Sequence, residues 1–148
     1  MTAEPLLILL AEDDEGHAEL IRINLQRARI INEIVHVTDG QEALDYIHRQ
    51  GRFADRKGGP LVVLLDIEMP RLDGVEVLRQ LKADPRTVKI PVIMLTTTDD
   101  PREIERCYGL GCNIYITKPV YYEVFHEALL QLGGFLQYVS VPSVSDVS

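Results

Sequence analysis

Five short apolar runs, each followed by an amphipathic stretch, set the tightest limit on how this chain can fold. The runs are Leu6–Ala11, Ile34–Val37, Leu61–Leu65, Val92–Leu95 and Asn113–Ile116. The third, LVVLL, has no polar position, the pattern of a parallel strand buried on both faces. Between the runs, apolar residues recur at spacings of three and four, the period of a helix with one buried face. Ala18, Ile21, Leu25 and Ala28 form one such stripe, Ala43, Leu44 and Ile47 a second, and Val75, Leu78 and Leu81 a third. A fourth helix falls near Arg102–Leu110, and Val124, Phe125, Ala128, Leu129 and Leu132 make the last stripe. Strand–helix alternation of this regularity predicts a doubly wound α/β protein, a five-stranded parallel sheet between two helix layers. Its functional groups belong at the carboxyl ends of the strands.

Punctuation supports these boundaries. Asp39 and Glu42 have the spacing of a capping box, and Asp39-Gly40 marks a turn. Asp84-Pro85 ends the third helix, because a residue before proline is pushed out of helical geometry. Gln50–Pro60 (QGRFADRKGGP) is polar and glycine-rich, and is expected to be an exposed connection. Gly133-Gly134 is expected to break the last helix, so the chain divides into a domain over 1–132 and a C-terminal extension over 133–148. In that extension Phe135, Leu136, Tyr138, Val139 and Val141 either fold back onto the domain or pack on another chain, and the last six residues read as disordered.

A chain of 148 residues fits one domain, and a net charge of −8 argues against non-specific binding to nucleic acid or to anionic membranes. No apolar run is long enough for a membrane span, and the basic start of a signal peptide is missing, so a cytoplasmic location is expected. Cys107 and Cys112 lack a redox or zinc spacing and read as reduced, partly buried thiols. His17, His36, His48 and His126 are scattered, with no pair at a ligand spacing.

The strand ends carry the chemistry. Glu12, Asp13 and Asp14 follow the first strand, Asp66 the third, Thr96, Thr97 and Thr98 the fourth, and Lys118-Pro119 the fifth. In a parallel sheet these ends share one edge, and the switch point beside strand one centres the site on strands one and three. Two carboxylates about 4 Å apart repel by roughly 4 kcal/mol at an effective dielectric near 20. Relief comes from a proton, from lysine or from a divalent cation. Carboxylates with room for water suit Mg²⁺, whereas the histidine and thiolate ligands of zinc are missing from these ends. Asp14 and Glu15 read as caps of the first helix, as do Asp99 and Asp100 of the fourth.

In this order, Glu12-Asp13, Asp66 within DIEMPRLDG, Thr96 after VIML and Lys118-Pro119 resemble the receiver domain of two-component response regulators over roughly Leu6–Leu132. The long connection before strand three and the tail also resemble the single-domain receivers that serve bacterial phytochromes. The resemblance implies a flavodoxin-like sheet of order 2-1-3-4-5 with Asp66 as phosphoacceptor. It implies Mg²⁺, with Mn²⁺ as a substitute, on Asp13, Asp66 and the backbone carbonyl of Glu68, with Glu12 acting through water. It further implies that Thr96, the amide of Thr97 and Lys118 contact the phosphoryl group. Thr96 and Tyr115 are then the switch pair, Gly74 supports the turn into helix three, and Pro119 follows a cis bond. Thr97 and Thr98 stand where the family often has smaller residues.

The resemblance implies a phosphoacceptor signalling protein and not an enzyme, with a sensor histidine kinase, a phytochrome among the candidates, as donor. The only catalysis implied is Mg-dependent self-phosphorylation from phosphodonors and slow self-dephosphorylation. About 16 residues follow the last helix, too few and too poor in basic residues for a DNA-binding module. Output is then expected through protein contacts or through a histidine phosphotransfer protein, in a homodimer to which Phe135–Val141 contributes. The alternative is an aspartate-nucleophile, Mg-dependent phosphatase on a similar sheet, but such enzymes carry D-x-D after strand one, where this chain has EDDEG. A flavodoxin-like cofactor binder would need a Ser/Thr/Gly-rich phosphate loop at that same place.

Overall fold

A computed structural model of the chain describes residues 6–119 and 121–136. Five parallel strands, β1 (Leu7–Ala11), β2 (Ile34–Val37), β3 (Leu61–Leu65), β4 (Val92–Thr96) and β5 (Ile114–Thr117), lie in the order β2-β1-β3-β4-β5. Five helices follow them in turn: α1 (Glu15–Arg27), α2 (Gly40–His48), α3 (Gly74–Ala83), α4 (Pro101–Leu110) and α5 (Tyr122–Leu136). The doubly wound sheet of order 2-1-3-4-5 is therefore the observed fold.

The period of two along each strand sorts the core into two layers. Leu9, Ala11, Val63, Leu65, Val92 and Met94 face α2, α3 and α4, where Leu44, Leu78 and Leu81 cover them. Ile8, Leu10, Val62, Leu64, Ile93 and Leu95 face α1 and α5, where Ile21, Leu25, Phe125 and Leu129 close the other side. All five residues of β3 are buried, as a strand between two helix layers requires.

Aspartates start four of the helices. Asp14, Asp39, Asp73 and Asp100 each accept a hydrogen bond from a first-turn amide, satisfying donors that have no partner within the helix. The capping box at α2 is displaced by one residue: the Glu42 carboxylate takes the amide and hydroxyl of Thr38 rather than the amide of Asp39. Asp84 ends α3 in extended geometry before Pro85, as expected.

One expectation is corrected here. The helix α5 does not stop at Gly133-Gly134 but runs through both to Leu136, which is buried. The reason is packing: a Cβ at Gly133 would stand 2.5 Å from the Ala28 Cβ, so glycine lets α5 lie directly against the end of α1. Burial of Leu132 and Leu136 offsets the roughly 1 kcal/mol that each helical glycine costs. Phe135 is exposed, while Tyr138, Val139, Val141 and the last six residues lie outside the described residues. The Gln50–Pro60 connection is largely exposed, as expected, though not without local order. It forms a short 3₁₀ turn at Gly51–Phe53, Phe53 meets Tyr46 edge-on, and the Arg56 guanidinium lies 4.3 Å over the Tyr46 ring.

Candidate functional site

Register delivers the predicted residues to one edge. Ala11 pairs with Val37 on one side and Leu65 on the other, so β1 and β3 end level. The Glu12 amide donates to Val37 O and the Asp66 amide to Ala11 O, each at 3.0 Å, which holds both residues just past their strands. The Lys118 amide donates to Thr96 O at 2.7 Å, anchoring the end of β5 against β4. Parallel pairing thus brings together groups more than 100 positions apart, as in the Lys118–Glu12 ion pair.

Glu12, Asp66, Thr96 and Lys118 are all buried, while Asp13 is exposed. The Lys118 ammonium donates to Glu12 Oε1, to Asp66 Oδ2 at 3.1 Å and to His17 Nδ1 at 3.1 Å. Carboxylate oxygens of Glu12, Asp13 and Asp66 lie within 4.8 Å of one another. That donor set fits a hard cation: it is all oxygen, and the exposed Asp13 side leaves room for the waters that Mg²⁺ retains.

The two buried carboxyls are driven apart in acidity. Burial, reinforced by hydrogen bonding to Asp66, pushes Glu12 up to about 7 against the opposing charge of Lys118. Burial also works against ionisation of Asp66, but the hydrogen bond with Glu12 and the Lys118 charge outweigh it and hold Asp66 below its ordinary value. Of the pair, Asp66 is the one kept ionised and so able to act as a nucleophile. The Asp14 carboxyl is lowered by the His17 amide that it caps, and it stands outside the carboxylate cluster. Its role is that of a helix cap, as expected.

The remaining predicted residues sit around this centre. The Thr96 hydroxyl is fully buried and makes no hydrogen bond of ordinary length among the described residues, but it faces Asp66 closely enough to help hold that carboxyl low. Thr97 and Glu68 are exposed on the loops that follow β4 and β3. Tyr115 is half-buried against the α2–α4 core layer, and its hydroxyl donates to Thr98 O at 2.6 Å. Gly74 lies at the turn into α3, where its amide donates to Ile67 O at 2.8 Å and a Cβ would lie 2.0 Å from Asp66 O. The expected cis bond before Pro119 is corrected, since the described residues contain no cis peptide bond. Trans is the intrinsically favoured isomer of an X–Pro bond, and with it Lys118 still reaches both carboxylates.

Sequence reasoning missed two histidines. His17, in the first turn of α1, touches Lys118, and His36 Nε2 lies 2.7 Å from the Glu12 backbone carbonyl. No helical spacing ties His17 to the site, because Asp13 precedes the extended N-cap Asp14 and lies outside α1. For His36 only the strand pairing reveals the contact.

The family model described as "Response regulator receiver domain" matches residues 8–130. The chain belongs to the response regulator receiver domain family. Response regulator Rcp1 of Synechocystis sp. is 34% identical over 114 residues, 77% of each chain. A crystal structure of its Mn²⁺-bound form superposes with a TM-score of 0.85 at 29% identity, covering 94% of this chain and 99% of that one. A receiver domain from Rhodospirillum rubrum superposes at 0.87 with 46% identity, over 95% and 99% of the two chains. The phosphorylated cyanobacterial phytochrome response regulator RcpA does so at 0.86 with 33% identity, again over 95% and 99%. Phosphoacceptor signalling is accordingly the function of this receiver, and the phosphatase alternative is not favoured.

Proposed function

We propose that this receiver takes a phosphoryl group onto Asp66 from a histidine kinase, with a phytochrome as the kinase that its relatives suggest. The observation that carries the reading is the convergence of the Glu12, Asp13 and Asp66 carboxylate oxygens within 4.8 Å of one another, with the Lys118 ammonium 3.1 Å from Asp66 Oδ2. In the transfer an Asp66 carboxylate oxygen forms a bond to phosphorus. The bond from phosphorus to the donor breaks, and the donor keeps the electron pair. Mg²⁺, with Mn²⁺ as a substitute, would be held by Asp13, Asp66 and the Glu68 carbonyl, with Glu12 through water, and supplies neutralisation of the phosphoryl oxygens. Lys118 supplies further positive charge, and the Thr97 amide donates a hydrogen bond.

The Thr96 hydroxyl, buried without a hydrogen bond of ordinary length, gains one when it turns to the phosphoryl oxygens. Tyr115 follows by giving up its bond to Thr98 O, which changes the surface formed by α4, β5 and α5. Phosphorylation thereby biases a two-state element. Output runs through protein contacts or a histidine phosphotransfer protein in the cytoplasm, from a domain that extends through the end of α5 at Leu136. A homodimer completes the reading, with the exposed Phe135 and the residues that follow Leu136 packed on the second subunit.

Phosphorylation with acetyl phosphate and Mg²⁺, read by intact mass, tests the central step. Uptake by the wild-type chain and none by Asp66→Asn is expected; uptake that persists in the variant overturns it. For the dimer, light scattering on a chain truncated after Leu136 should show loss of the dimer. An unchanged dimer removes the residues beyond Leu136 from the interface.

A further inference from the structure

An ammonium group has three N–H donors and no acceptor. All three donors of Lys118 are engaged, by Glu12 Oε1, Asp66 Oδ2 and His17 Nδ1. Two of these acceptors belong to the carboxylate cluster that a divalent cation would claim. His17 does not. It lies in the first turn of α1, where its amide donates to the capping Asp14 at 3.0 Å. From α5, Phe125 meets its imidazole edge-on with ring centroids 6.2 Å apart. These two contacts aim Nδ1 at Lys118. Because the ammonium only donates, Nδ1 accepts, which leaves the ring proton on Nε2. Glu12 Oε1 and Asp14 Oδ2 stand 3.9 and 4.0 Å from Nδ1, beyond hydrogen-bond range.

We propose that His17 is a positioning residue for phosphoryl transfer, an uncharged acceptor that keeps the Lys118 ammonium aimed at Asp66 while a divalent cation draws on the carboxylates. This rests on Asp66 being the phosphoacceptor. Charge explains the choice of residue. A cation held by Asp66 directly and by Glu12 through water weakens their hold on Lys118, so a third anchor is needed. A carboxylate in place of the imidazole would hold the ammonium as firmly, but it would cancel the charge that Lys118 offers to the phosphoryl and would itself repel that group. An imidazole nitrogen anchors Lys118 and does neither. The third anchor also sets the direction of the ammonium, since two donors fixed on one side leave the last free to swing.

Three variants separate the possibilities. His17→Leu removes the acceptor and keeps apolar bulk against Phe125, His17→Asn restores an uncharged acceptor near the place of Nδ1, and His17→Asp restores a charged one. The first readout is the Lys118 ammonium signal in ¹H–¹⁵N spectra of the Mg²⁺-loaded, unphosphorylated protein. It should persist in wild type and His17→Asn and vanish by fast exchange in His17→Leu. The second is the rate of phosphorylation by acetyl phosphate at saturating Mg²⁺. His17→Asn should stay within about twofold of wild type, and His17→Leu and His17→Asp should fall by roughly five- to tenfold, the worth of one partly exposed hydrogen bond to a charge. A wild-type rate and signal in His17→Leu overturns the proposal, and equal impairment of His17→Asn and His17→Leu reduces the residue to packing. A wild-type rate in His17→Asp overturns the charge explanation. Phosphoryl uptake that survives in Asp66→Asn removes the phosphoacceptor reading instead, and it leaves the comparison of ammonium signals untouched.

Discussion

The metal-free protein should lose stability as pH rises from about 5 to 8, the reverse of what most carboxylates produce. In the folded chain Glu12 is pushed from 4.5 up to about 7, first by burial and then by its hydrogen bond to Asp66. Between those values the folded state holds a proton that the unfolded chain has released. Unfolding therefore becomes easier with each step upward in pH, and the contribution of Glu12 is full below about 4.5 and lost through about 7. At about 1.4 kcal/mol per pH unit, a displacement of that size corresponds to about 3 kcal/mol. Sharing of the proton with Asp66, and solvent near the exposed Asp13, reduce the expectation to about 2 kcal/mol. Asp66 acts in the opposite sense: its lowered carboxyl stabilises the fold above about 3.8, and that contribution disappears as pH falls further. Stability in EDTA should thus peak near pH 5. Urea unfolding at pH 5, 6, 7 and 8 measures it, with Glu12→Gln as control. The variant should show a flattened profile over this range. A wild-type profile that is flat or rising from pH 5 to 8, or an unchanged slope in Glu12→Gln, would refute the reasoning.

Other consequences follow from packing. Gly133→Val should cost about 2–3 kcal/mol in urea unfolding, because its Cβ would meet Ala28 at 2.5 Å. Gly134→Ala, whose Cβ meets nothing within 4 Å, should instead stabilise by about 0.5–1 kcal/mol. Gly74→Ala should destabilise by about 2–3 kcal/mol and slow phosphorylation, since a Cβ 2.0 Å from Asp66 O forces the loop bearing that carboxylate to move. Thr96→Val should leave thermal stability within about 1 kcal/mol, because the hydroxyl it deletes makes no hydrogen bond of ordinary length and only assists the ionised Asp66. In that variant, phosphorylation should no longer shift the amide resonances of β5.

Much of this architecture was legible because its signals are local. An apolar LVVLL segment has one comfortable place in a parallel sheet, its centre, and Asp66 directly after it must then sit at the sheet edge. Knowing that parallel strands end together was enough to group Glu12, Asp13, Asp66, Thr96 and Lys118. What stayed hidden depends on contacts between distant parts of the chain. Gly133-Gly134 is a helix breaker by propensity, and only the approach of α1 turns it into a packing surface. The polar 50–60 connection carries Phe53 and Arg56, whose partner Tyr46 becomes evident only once α2 is in place. His17 was invisible as a site residue because Lys118 meets it from 101 positions away. The bond before Pro119 differs by little between isomers, so residue identity alone could not decide it.

The central claim is that Asp66 carries the phosphoryl group, and locating that bond directly is the sharpest test. The chain would be phosphorylated with acetyl phosphate and Mg²⁺, reduced with borohydride to convert an aspartyl phosphate to homoserine, and digested with trypsin. The segment Gly58–Arg71 contains a single aspartate, so fragmentation of that peptide is unambiguous. Homoserine at position 66 and at no other aspartate is the predicted result. Homoserine at Asp13 or Asp14, with Asp66 intact, would contradict it.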